Sequence, residues 1–143
     1  MAKKRSRSPK TPNIVVLPGL FNDTVRLLLE SHAYFQHHGV EDQMNLSAEN
    51  RSLYVREMSR IAMRLSAIMA WLLMRKTALT GKPLPHKKRF AFETNDVCLA
   101  HNAEAERMLP KPVLRLLKNS LRLYERVTRL NATMQRRKKT EKS

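Results

Sequence analysis

The chain has 143 residues, a formal net charge of +16 at pH 7, 42% hydrophobic residues and one cysteine. That length holds a single domain with one core, and the lone Cys98 excludes an internal disulfide. The longest uncharged apolar run, residues 65–74, is about half the roughly 20 residues a bilayer crossing needs, and no signal-peptide h-region precedes it, so the reading is a cytoplasmic chain without membrane insertion.

The first 17 residues, "MAKKRSRSPKTPNIVVL", hold Lys3, Lys4, Arg5, Arg7 and Lys10 with no acid. With little apolar surface to offset the entropy of ordering, residues 1–17 read as a disordered basic arm. A first helix is expected over about residues 20–37, after Pro18 and Gly19 and before Gly39. Phe21, Val25, Leu28, His32 and Phe35 form one apolar row at i, i+4, i+7 spacing, and Leu20, Leu27 and Tyr34 form a second. Residues 40–46 read as a polar connection.

Ser47 is placed to cap a second helix, with Glu49 in its first turn where the helix dipole favours an acid. No Pro or Gly interrupts the chain until Gly81, so one long central helix of roughly 33 residues, about 50 Å, follows. Tyr54, Met58, Ile61, Leu65, Ile68, Met69, Leu72 and Leu79 share its core face. Ser59, Ala62, Ser66, Ala70 and Thr77 line a neighbouring face where small side chains would let another helix come close. Trp71, Met63 and Met74 fall on the remaining sides, so this helix needs more neighbours than one short chain supplies.

Residues 82–112 form a long connection in which Asn95 or Asp96 caps a short helix through Met108. Pro112 suits the first turn of a third long helix. Leu114, Leu117, Leu121 and Tyr124 make one apolar row, and Leu116, Leu123, Val127, Leu130 and Met134 another. Together they cover about 200° of its circumference, too wide for one seam. Arg115, Lys118, Arg122, Arg126, Arg129 and Arg136 fall within about 80° on the opposite side and form a cationic ridge, a candidate partner-binding surface. The C-terminal segment 135–143 is a second basic stretch and is expected to be disordered. The organisation is thus a helical domain over residues 18–134 between two basic tails.

Catalytic chemistry finds little support. Cys98 and His101 stand three apart without a second ligand pair, which fits a structural Cys beside a surface His better than a metal site. His37 and His38 are adjacent at a helix end, and Glu104 and Glu106, two apart, do not converge on one helical face. There is no phosphate-binding glycine loop and no nucleophile motif, so the reading is a non-enzyme with no cofactor and no metal.

Two blocks of residues then become informative as identities. The second helix carries Glu57, Arg60, Arg64, Leu65, Trp71, Leu72 and Leu73 in "EMSRIAMRLSAIMAWLL", and the third carries Leu109, Pro110 and then Ser120, Leu121, Tyr124 and Val127 in "SLRLYERVTRL". With "LFNDTVRLLLESHAYF" in the first helix, this pattern resembles the alphaproteobacterial regulator of CtrA degradation family, adaptors in cell-cycle proteolysis by the ClpXP protease. The resemblance runs from about residue 20 to residue 131. It implies an all-α three-helix bundle that forms a homodimer, has no catalytic residues, and brings substrates or regulatory proteins to the protease machinery. Asn119 and Asn131 stand where the family pattern has Arg and Asp, and both basic tails depart from it. Arg60 and Arg64 read either as partner-binding residues or as structural ones that pair with Glu57 or cover the bundle edge. The competing function is a nucleic-acid-binding helical protein that uses the ridge and tails on phosphates without strong sequence specificity, because no recognition helix or aromatic stacking surface is present.

Overall fold

A computed structural model describes residues 11–79, 92 and 95–142. Three long helices make the frame: α1 (Thr11–Tyr34), α3 (Ala48–Leu79) and α6 (Lys111–Lys142). Each packs against the other two. Short helices fill the connections: α2 (Val40–Met44), α4 (Asp96–Leu99) and α5 (Ala103–Arg107). No strand occurs among the described residues, so the fold is an all-α bundle with a long central helix.

Both tails depart from the expected disorder where they are described. Helix α1 starts at Thr11 and contains Pro18, so residues 11–17 of the presumed arm are helical. At the other end α6 runs through residues 135–142 to Lys142. Extending an existing helix needs no new nucleus, and Gln, Arg and Lys are good helix formers. The hydroxyls of Thr133 and Thr140 donate back to the carbonyls of Arg129 and Arg136, following the ladder. Residues 1–10 lie outside the described part.

Gly39 does not stop the first helix. A π-helical turn over Phe35–Gly39 carries the chain into α2 with Gly39 itself in right-handed helical geometry. Glycine is used here for close approach: a Cβ at Gly39 would lie 3.4 Å from the Tyr54 hydroxyl and 3.5 Å from the Phe35 ring. The Ser47 hydroxyl accepts from the Asn50 amide and caps α3 as its sequence indicates. The expected single helix after Asn95 is broken in two, because Asn95 caps α4 and Asn102 independently caps α5.

The core is drawn from one row of α1 and from one broader face of α3 and of α6. Leu20, Leu27 and Tyr34 come from α1, Tyr54, Ile61, Leu65, Ile68, Trp71 and Leu72 from α3, and Val113, Leu116, Leu117, Leu123, Tyr124 and Val127 from α6. Cys98 and Leu109 close the side covered by the α4–α5 connection. The other α1 row points outward: Phe21, Leu28, His32 and Phe35 are exposed. So is the small-residue face of α3, where Ser59, Ala62, Ser66 and Ala70 are not covered by any other helix among the described residues.

Candidate functional site

The centre of the bundle is polar in one place, and α3 supplies it. Arg64 is 1% exposed although it carries a full charge. Its position follows from spacing, because Glu57, Ile61, Arg64, Ile68 and Trp71 recur at i, i+4, i+7, i+11 and i+14, a single inward row. Arg64 Nε donates to the Cys98 carbonyl at 2.6 Å and Nη2 to the Ala100 carbonyl at 2.9 Å. Nη1 donates to the Leu117 carbonyl and to Ser120 Oγ, both at 3.0 Å. One guanidinium therefore ties α3 to α6 and takes up carbonyls at the end of α4 that no helix satisfies. Burial, and then the neighbouring Arg60 charge, pull its pKa below the ordinary value; arginine starts so far above neutrality that it stays charged.

Glu57 is equally buried and sits two turns away on the same row. Arg60 Nη1 meets both of its oxygens, at 2.5 and 2.7 Å, and Arg56 Nε lies 3.5 Å from Oε2. Glu57 and Arg60 thus form a largely buried charge pair on α3, whereas Arg64 is held by carbonyls and Ser120. The Arg60 Nε atom is buried without a hydrogen-bond partner.

A second cluster surrounds Trp71. Its indole N–H donates to Asn131 Oδ1 at 3.0 Å, while Asn131 Nδ2 reaches the Phe92 carbonyl at 3.4 Å. The asparagine donates and accepts at once, which an aspartate at residue 131 would not do. Phe92 lies between Trp71 and Tyr124, edge-on to the first at 6.4 Å and tilted against the second at 5.3 Å. Arg75 covers the outer face of the indole at 5.4 Å. Tyr124 is fully buried, its hydroxyl accepts from the Asn95 amide at 3.0 Å, and burial raises its pKa. Ser120 and Val127 are fully buried beside it, Leu65 and Leu72 pack in the core, and Leu121 is partly covered. Leu73, grouped with them by its sequence, is instead half exposed on the outer side of α3.

Two surfaces remain open. Between α1 and α3 runs an apolar groove lined by Leu28, Phe35, Val55, Met58, Ala62 and the small Ser59. Leu28, Phe35 and Val55 are 37, 47 and 54% exposed, which is unusual for three large apolar side chains on one groove. Helical periodicity had marked the Phe21–Phe35 row and the Ser59–Ala70 face as packing surfaces separately; the fold sets parts of both along the same groove.

The other open surface is the α6 ridge. Arg115, Lys118, Arg122, Arg126, Arg129 and Arg136 are all exposed, as their shared helical angle requires. Arg126 lies 3.6 Å from Asp23 of α1, which also pairs with Arg26 at 3.5 Å. Asn119 lies beside them in the α1–α6 groove, with Glu30 on its far wall.

No group of three His, Cys, Asp or Glu among the described residues is placed to hold a metal. Cys98 is buried and His101 exposed, so the two do not converge. No helix among them is long and apolar enough to cross a membrane.

Comparison with known proteins agrees with this architecture. A family model described as "Protein of unknown function (DUF1465)" matches residues 11–143. The crystal structure of RcdA from Caulobacter crescentus CB15 is similar at a TM-score of 0.65 and 26% identity, covering 91% of this chain and 92% of that chain. No curated protein matches the sequence.

Proposed function

The chain belongs to the DUF1465 family, and from that premise we propose that it is a non-catalytic, RcdA-like adaptor or regulatory scaffold in cell-cycle-linked protein degradation by ClpXP. The observation that carries this reading is the likeness to RcdA, which extends over nearly the whole of both chains rather than one helix pair. The buried placement of the residues that carry the sequence resemblance supports it: Arg64, Trp71, Ser120 and Tyr124 hold the bundle together, which leaves a scaffold with open outer faces.

The scaffold works as a homodimer in this reading, with the α1–α3 groove as the contact between copies. A two-fold interface must be self-complementary, and this groove offers both large apolar side chains, Leu28 and Phe35, and the small Ser59 and Ala62 beside which they would fit. The test is a reconstituted ClpXP degradation assay with a candidate cell-cycle regulator as substrate, run with and without the protein. Accelerated loss of that substrate supports the adaptor role, and no change across a panel of substrates and partner factors sinks it. Sedimentation of the Leu28→Asp, Val55→Asp double variant tests the dimer, which should dissociate while keeping its helix content.

A further inference from the structure

We propose that the outward face of α6 is a docking site for an acidic helical segment of a partner protein. The proposal deepens the scaffold reading, on which it rests for the presence of a partner, and it stands on the arrangement of charge on α6.

Lys111, Arg115, Lys118, Arg122, Arg126, Arg129 and Arg136 are exposed and share this face. Successive members are mostly three or four residues apart, the spacing at which like charges on a helix repel. Lys111 also stands in the first turn, where the helix dipole disfavours cations. Among the described residues, Asp23 is the one carboxylate within ion-pair distance of the face, and it is shared between Arg126 and Arg26. The isolated bundle therefore holds this charge against its own stability, and a partner bearing carboxylates would relieve the repulsion.

The shape of the charge selects the partner. From Arg115 to Arg136 the ridge is one side chain wide and roughly 32 Å long at 1.5 Å per residue. A second helix lying along it repeats at the same rise, so carboxylates at three- and four-residue spacing meet these cations along most of its length. A nucleic-acid duplex is wider than the ridge and would reach the carboxylates that stand beside it. Asp23 and Glu30 line the groove toward α1. Glu106 lines the small pocket beside Lys118 on the opposite edge. A single strand binds best where exposed aromatic rings receive its bases, whereas the aromatic residue of α6, Tyr124, is fully buried. Phosphate polymers therefore fit this surface less well than an acidic helix.

The test uses a fluorescein-labelled designed helix of about 20 residues with glutamates on one face. Its controls are a scramble of the same composition and a duplex DNA of similar length, all read by anisotropy with the full chain. The face-ordered peptide should bind at least tenfold more tightly than its scramble. The Arg115→Gln, Lys118→Gln, Arg122→Gln, Arg129→Gln variant should lose that binding, and an Arg51→Gln, Lys76→Gln control on α3 should keep it. Thermal melting verifies the fold of the ridge variant, which sheds like-charge repulsion and so should melt no lower than the parent. Equal binding of ordered and scrambled peptides, retained binding by the ridge variant, or duplex DNA that binds more tightly and displaces the peptide would each overturn the proposal. No protease is present, so failure here leaves the adaptor reading standing, and failure of the degradation assay leaves this binding measurement unaffected.

Discussion

Helices α3 and α6 are each 32 residues long and lie side by side, yet they treat charge in opposite ways. Helix α3 turns the long cation Arg64 inward and the small Ser59, Ala62, Ser66 and Ala70 outward; α6 turns the small Ser120 inward and its arginines outward. The two choices are linked at one contact, because Arg64 Nη1 bonds Ser120 Oγ, which in turn donates to the Leu117 carbonyl at 3.1 Å. A large side chain at residue 120 would occupy the space the guanidinium needs. The difference teaches that a charged residue's role here is set by its phase on the helix rather than by its type. On the inner face an arginine is consumed by carbonyls, and on the outer face it is left for another molecule.

The largest effect should come from breaking the inward half of that arrangement. Arg64→Ala leaves the carbonyls of Cys98 and Ala100 without their donor and opens a large cavity, and it should cost about 3–5 kcal/mol in chemical denaturation. Arg64→Lys should recover little, since one ammonium cannot reproduce the forked geometry that spans α4 and α6. A loss below about 1 kcal/mol would show that Arg64 is not the tie between these helices, and the contrast with the ridge would collapse.

Trp71 is the next inward polar group along α3. Trp71→Phe keeps an aromatic ring but removes the N–H donor to Asn131 and part of the volume beside Phe92, for a loss of about 1–3 kcal/mol. Asn131→Asp tests the same contact from the other side, because an aspartate accepts from the indole but cannot donate to the Phe92 carbonyl. Its effect should be smaller than that of Trp71→Phe.

At the far end of α3, Tyr54 donates to Tyr34 at 3.2 Å, and Tyr34 donates to Asp42 at 2.7 Å. Burial first, and then the hydrogen bonds to Tyr54 and Asp42, hold the Tyr34 pKa far above its ordinary value of 10.0. The unfolded chain releases this proton near pH 10 while the folded chain keeps it. The stability it contributes is therefore intact below that pH and is lost above it, by about 1.4 kcal/mol per pH unit at most for a single group. Stability profiles between pH 9 and 11 should fall less steeply for Tyr34→Phe than for the parent chain. Identical slopes would place the alkaline loss elsewhere.

How much of this was legible depends on whether one helix or several decide a residue's place. The three long helices, the Ser47 and Asn95 caps and the exposure of the ridge follow from local periodicity and capping chemistry. Arg64 was also within reach, since it shares a phase with Ile61 and Ile68, but its charge argued for the surface. Which α1 row is buried was not legible. Leu20, Leu27 and Tyr34 lie beside Phe21, Leu28 and Phe35 on the wheel, both rows are apolar, and only the positions of α3 and α6 decide between them. Gly39 reads as a stop because a glycine that ends a helix and one that admits Tyr54 look alike in sequence.

The smallest expected effect is also the one that separates one copy of the bundle from two. The small-residue face of α3 reads in sequence as a close helix contact, for which Ala70→Leu would cost about 1–3 kcal/mol through overpacking. In the fold Ala70 is exposed, and among the described residues no other helix lies over it. The substitution should therefore change the stability of dilute protein by less than about 0.5 kcal/mol, as at other exposed positions. Helix propensity hardly separates Ala from Leu, so a larger loss has no local cause. If a destabilisation of 1 kcal/mol or more grows with protein concentration, then Ala70 lies within an interface between copies. Since Ser59 and Ala62 of the same stripe line the α1–α3 groove, the dimer contact would then extend from that groove along α3. A small effect at every concentration confines the contact to the groove and leaves the outer side of α3, like the α6 ridge, free for other proteins.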